Sequence, residues 1–283
     1  MAAQSSAAAV RLQCRSEMHT ENTVGLAPGY VQSNLMVLPS EYAADFVSLC
    51  ERNPVPFSLL ATSRTTGDPH TLSDPKLISA GAESGAGDST LPLLDLRTDL
   101  PRYNVYSCGS LIDTPNNVKD YWTESHTAFI MGCSFSFDSA LVAAGLPPRH
   151  IEAGCNVTMY TTTYKLHPAG IFTEGTMVVS MRPYKESDIP RVRAITGRFS
   201  RTHGEPVDWG WDALERLGIK DLGKPDFGDV VEVRREEGEV PVFWGCGATP
   251  SLVIKLAGDK IKGHVITHIP GFSLILDLKD DEV

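Results

Sequence analysis

The segment that most constrains the fold lies near the C-terminus. VPVFWGC (240–246) reads as a strand, Thr249-Pro250 opens a helix through Leu256, and HVITH (264–268) reads as a second strand. Threonine is a helix N-cap residue, and proline at the first helical position gives up an N–H that has no intrahelical partner there. Strand, helix, strand at these lengths argues a βαβ unit with parallel strands. SLILDL (273–278) adds a final strand.

The rest of the chain supplies helices and strands in alternation. Ser40 caps a helix to about Arg52, with Tyr42, Phe46, Leu49 and Cys50 as its apolar stripe, and PFSLLAT (56–62) reads as a short buried strand. RYNVYSCGSLI (102–112) reads as a hairpin turning at Cys108-Gly109, and Asn117 as the cap of a helix carrying Val118, Tyr121 and Trp122. Residues 63–94, rich in Gly, Ser, Pro and Asp, read as a long surface loop. The expected fold class is α/β, a mixed-sheet three-layer region with a smaller inserted α+β region. Residues 1–10 read as a disordered tail. Residues 11–100 with 230–283 are assigned to the α/β part and 101–229 to the α+β part, with the site at their junction.

Bulk properties narrow the function classes. With 35 acids against 25 bases, the formal charge is −10, which gives no support to nucleic-acid binding. No apolar run reaches the roughly 18 residues of a membrane span. The six cysteines include no CxxC pair, and a cytoplasmic setting with reduced thiols is expected. Arg11 and Arg15 in an acid-poor N-terminus leave a mitochondrial matrix address open. No HExxH, DxDxDG, GxGxxG or P-loop motif is present, so no metal and no cofactor are expected. Homo-oligomerisation is left open.

Two stretches share one layout that suits an anion. FIMGCSFS leads through Gly132 and Cys133 into a helix capped near Ser134 or Ser136. VFWGCGATP leads through Gly245, Cys246 and Gly247 into the helix at Thr249. Glycine lets the backbone approach a ligand, and the first helical N–H groups are unpaired. Two such loops suit a substrate with two anionic ends, although capping alone also explains them. Arg102, Arg149 and Arg182 are candidate carboxylate partners, or structural ion-pair partners of Asp99, Asp226 or Asp229. Gln32 and Asn34 share a face if their segment is a strand, and Asn156 and Tyr160 lie in the polar-in-apolar stretch 95–160. Candidate proton-transfer groups are Asp99, His203 and His268. Cys133 could be a nucleophile at a helix start, or an inert core thiol.

Taken together, GLAPGYVQSNL, DLRTDLPRY, GCSFSFDSAL, RHIEAGCNVTMY, VVSMRP, PDFGD, PVFWGCGATP and ITHIPG resemble the hydro-lyase family that includes D-glutamate cyclase. The likeness runs in order from about Arg11 to Leu278. It implies a cofactor-independent dehydration, in which D-glutamate closes to 5-oxo-D-proline with loss of water. The expected partner is thus a small-molecule carboxylate. Two positions depart from the family pattern. Cys155 stands where a basic residue is usual, and Phe272 follows Pro270-Gly271 where histidine is common. They keep open a dehydratase or hydratase acting on another small carboxylate. A non-catalytic carboxylate-binding protein is the reading from another class.

Overall fold

The structure, a computed structural model, describes residues 6–78 and 93–283. In chain order the elements are α1 (Ala7–Arg15), β1 (Tyr30–Pro39), α2 (Ala43–Arg52), β2 (Leu59–Thr62), β3 (Tyr103–Ser107), β4 (Ser110–Asp113), β5 (His126–Gly132), α3 (Asp138–Ala143), α4 (Arg149–Ala153), β6 (Thr158–Lys165), β7 (Thr176–Lys185), α5 (Ile189–Thr196), β8 (Asp208–Trp209), α6 (Ala213–Leu217), β9 (Glu239–Gly245), α7 (Thr249–Ala257), β10 (His264–His268) and β11 (Leu274–Lys279). The fold is α/β and rests on two sheets. The larger runs β2-β5-β1-β10-β3-β4, with β11 also on β1; the smaller runs β6-β7-β9-β8. β1 is long enough to pair along one edge with β10 at Met36–Val37 and with β11 at Gln32–Ser33, while β5 takes its other edge.

Every strand pairing in the two sheets is antiparallel. The parallel βαβ unit expected at the C-terminus does not form. β9 pairs with β7 and β8, β10 pairs with β1 and β3, and α7 carries the chain from the small sheet to the large one. Local composition reports that two strands flank a helix; it does not report which sheet each joins. The hairpin at Cys108-Gly109 does form, with both residues at positive φ (48° and 75°), as a tight two-residue turn requires. The stretch from Asn117 forms turns instead of the expected helix. Much of the loop expected at 63–94 lies outside the described residues.

Period-two burial assigns the faces of the large sheet. Val31, Leu35 and Val37 of β1 enter one cluster with Leu96, Leu100, Tyr103 and Ile266. Met36 and Leu38 enter the other, under α2 and α7, with Phe46 edge-on to Phe129 at 4.8 Å. α1 begins at Ala7, inside the expected tail. Ser6 caps it, and Ala7, Val10 and Cys14 pack on Ile275 and Ala27, which is enough apolar contact to order this stretch. The small sheet has its own two cores. Val179, Met181 and Phe243 serve one face, and Val242 and Trp244 the other.

Candidate active site at the junction of the sheets

Asn34 ties two loops together. It lies on β1 two residues before Met36, so it shares the face that looks toward α7. Its Nδ2 donates to the Gly132 carbonyl at 2.9 Å, and the Gly247 backbone lies directly on its amide. A Cβ at Gly247 would collide with that amide, and a Cβ at Gly132 would collide with the Arg201 carbonyl. Glycine is required at both places by close approach. Gln32, on the same face, binds Ser136 through its backbone: its N–H donates to Ser136 Oγ at 3.0 Å.

The small sheet contributes a buried cation. Arg182 on β7 is fully buried. Its guanidinium donates to Asp138 Oδ1 at 3.0 Å, to Ser134 Oγ at 3.1 Å and to Ser180 Oγ at 3.1 Å. Its Cζ lies 4.9 Å from the Phe137 ring centre and 5.3 Å from that of Trp244. The second Asp138 oxygen accepts from His150 Nε2 at 3.1 Å. Burial pushes the His150 ring toward the neutral form, and Asp138 opposes that. The result is a guanidinium bonded through all three nitrogens that reaches the first loop through Ser134.

Cys133 and Cys246 occupy equivalent places in the two loops and share one apolar cluster with Val178 and Ala248. Burial pushes the Cys246 thiol up to about 12 and raises Cys133 as well; the backbone N–H of Ala248 and that of Phe135 oppose this only in part. Both are thiols at neutral pH, which is the wrong state for a nucleophile. Thr249 Oγ1 is committed to backbone, donating to the Cys246 carbonyl at 2.7 Å and accepting from the Val178 N–H at 3.0 Å.

His203 has the most unusual environment. It follows a short turn packed over Gly132 and holds φ at 83°, a left-handed conformation rare outside glycine. Its Nδ1 lies 2.7 Å from the Val55 carbonyl. A carbonyl can only accept, so Nδ1 carries the proton and Nε2 presents its lone pair. Nε2 is buried without a hydrogen-bond partner, beside the Gly132 carbonyl. Burial lowers its proton affinity to about 4, while the two carbonyls favour the protonated ring and Arg182 disfavours it. A buried, unpaired acceptor on a strained backbone is destabilising unless something uses it.

The family model for D-glutamate cyclase matches residues 127–277, which hold both loops, Asp138, Arg182 and His203. Relatives bearing the class name hydro-lyase, without a substrate, extend the match. One from Bordetella pertussis is 47% identical over 95% of this chain and 88% of its own length. One from Rubrobacter xylanophilus is 45% identical over 98% and 97%. One from Schizosaccharomyces pombe is 43% identical over 93% and 81%. The chain belongs to the D-glutamate cyclase family. It is a lyase of the hydro-lyase class. A crystal structure of a nitrogen repressor-like protein from Methanococcus jannaschii covers 99% of this chain and 100% of its own at a TM-score of 0.37 and 11% identity, too remote to carry an argument.

In this D-glutamate cyclase family member the sequence candidates divide into three groups. Asn34, Gly132, Cys133, Ser134, Arg182, His203, Gly245, Cys246, Gly247 and Thr249 gather at the junction. Gln32, Ser136 and Asn156 brace it from behind, Asn156 through a 3.0 Å bond to the Pro270 carbonyl. The remainder lie elsewhere. Arg149 binds Glu239, Tyr160 donates to the Leu222 carbonyl at 2.6 Å, and Arg102 lies near Asn116. His268 faces the opposite side of the large sheet with Tyr103, its Nδ1 at 3.3 Å from the Leu35 carbonyl. Two residues the sequence reading passed over, Asp138 and Ser180, complete the Arg182 cradle. The available signal for Asp138 was an acid inside the apolar run FSFDSALV.

Asp99 is held by Arg15 through two contacts of 2.7 Å each and by the Asp95 N–H at 2.8 Å, on the face away from the junction. Burial raises its pKa and Arg15 opposes that. Asp99→Asn is expected to lower folding stability by roughly 1.5–3 kcal/mol while turnover per folded molecule stays unchanged. Denaturant titration with parallel rate measurements checks this; a lost rate in a folded protein would contradict it.

His203 and His268 both bind protons only near pH 4, far below the ordinary 6.5, burial being the main cause. Between those values the unfolded chain holds more protons than the folded one, so stability falls as pH drops from 6.5 toward about 4. The melting temperature is expected to fall between about pH 7 and about pH 5, and His268→Asn, which keeps a donor for Leu35, is expected to flatten that fall. Parallel melting curves for the two proteins would contradict it.

Proposed function

We propose that the junction catalyses the ring closure of D-glutamate to 5-oxo-D-proline and water. In that reaction the amino nitrogen attacks the side-chain carboxyl carbon and a C–O bond breaks. Two protons leave the nitrogen and two arrive on the departing oxygen. The observation that carries this reading is the free Nε2 of His203, held beside Gly132 by the anchored Nδ1. It takes a proton from the nitrogen and hands it to the oxygen. Its low proton affinity in the free protein suits the second transfer. The arriving carboxylates raise that affinity and suit it to the first.

The other groups supply position and charge. Arg182 sets a positive field at the Ser134 loop, and Ser134 and Ser180 offer hydroxyls to a carboxylate or to the tetrahedral oxyanion. Asp138 prevents Arg182 from being an unpaired buried charge before substrate arrives. Asn34 keeps the two loops at a fixed separation, which holds nitrogen and carboxyl carbon in attack geometry.

A second substrate remains in view through Phe272. It neighbours Ser273, whose Oγ lies 3.6 Å from Cys133 Sγ, so the departure from the family pattern is close to the loop. The test is direct. Purified protein is incubated with D-glutamate or L-glutamate, and 5-oxoproline is followed by mass spectrometry. Product from the D-isomer alone is expected. No product from either isomer, with folded protein, moves the proposal to another small carboxylate.

A further inference from the structure

On the outer side of the junction, an open groove of about 300 Å³ runs between the turn after α2 and the end of β6. Its lining includes the apolar Val55, Leu166 and Met177 and the basic Arg52, Lys165 and His167, and no carboxylate lines it. Among the described residues these three basic side chains make no hydrogen bond or ion pair. In a chain with a net charge of −10, a carboxylate-free cluster of unpaired bases beside apolar side chains is out of character.

The groove is built, not a gap between loose turns. Asn53 stitches its two walls: Nδ2 donates to the carbonyls of Leu49 and His167, each at 2.9 Å, and Oδ1 accepts from the His167 N–H at 2.8 Å. A preformed wall lowers the ordering cost of binding. The volume sits at the small end of the range for small-molecule pockets. Val55 also belongs to the junction, since its carbonyl holds His203 and its side chain lies against Gly245.

We propose that this groove binds a small organic anion with an apolar body, of the aryl or branched aliphatic carboxylate class. The body lies on Val55, Leu166 and Met177, and the carboxylate meets Arg52 and Lys165. The inference does not rest on the proposed reaction. Phenylacetate is titrated into the full chain carrying labelled methyl groups, with phenylacetamide as the neutral control. Saturable shifts are expected at the methyls of Val55, Leu166 and Met177. Arg52→Gln/Lys165→Gln is expected to weaken binding by about tenfold or more, and the amide to bind as weakly. The substituted side chains are exposed, and unchanged methyl resonances elsewhere report an intact fold. No saturable shift at the three methyls, undiminished binding by the double variant, or equal binding of the amide would each overturn the proposal.

Discussion

His203→Asn is expected to lower the turnover of D-glutamate by about 10²–10⁴-fold, the range for loss of a positioned acid–base group, in a protein that still folds. Asparagine suits the test for two reasons. It tolerates the left-handed backbone at φ 83°, and its Nδ2 can replace Nδ1 as donor to the Val55 carbonyl. What it removes is Nε2. The variant also loses a group that titrates between about 4 and 6.5, so its acid stability should rise while its rate falls. A merely structural histidine would show the first change without the second. Rates measured beside circular dichroism separate the two, and an unchanged rate in a folded protein would remove His203 from the chemistry.

Arg182→Met is expected to cost about 3–5 kcal/mol of folding stability, because it leaves the Asp138 carboxylate buried with only His150 for company. It is also expected to abolish turnover. Arg182→Met/Asp138→Leu removes both charges and should recover much of the stability, since buried ion pairs and well-packed apolar pairs are often close in energy. It should recover none of the turnover. Denaturant titrations and rates on the three proteins check this. A double variant that regains activity would show that the pair serves only the fold.

Local signals in the sequence were legible where the physics is local. The stripe of Tyr42, Phe46 and Leu49, the Cys108-Gly109 turn and the two Gly-Cys loops lie where the sequence places them, whereas Ser40 is no cap: it begins a short 3-10 turn, and α2 starts at Ala43 without a side-chain cap. Pairing between distant strands was not legible. Thr249-Pro250 does open α7, though Thr249 is its first residue and not its cap, its hydroxyl being bonded to Cys246 and Val178; nothing in VPVFWGC or HVITH states that the two strands belong to different sheets. The same limit explains the site. Arg182 was a candidate from its place in VVSMRP, but apart from Ser180 on its own strand its partners are Asp138 on α3 and Ser134 in the turn before it, brought there by tertiary packing. Asp99 looked equally chemical in DLRTDLP, and its partner Arg15 lies 84 residues away in a helix that the sequence presented as an acid-poor tail. The left-handed backbone of His203 has no sequence signal apart from the following Gly204.

The proposed reaction places substrate between the Ser134 loop and the Gly247 loop. The most direct test is a crystal structure of His203→Asn soaked with D-glutamate. One carboxylate is expected within hydrogen-bond distance of Ser134 and Ser180, with Arg182 behind them and the amino group facing residue 203. Density for D-glutamate only away from the junction, whether beside Asp99 and Arg15 or in the Arg52 groove, would contradict this placement.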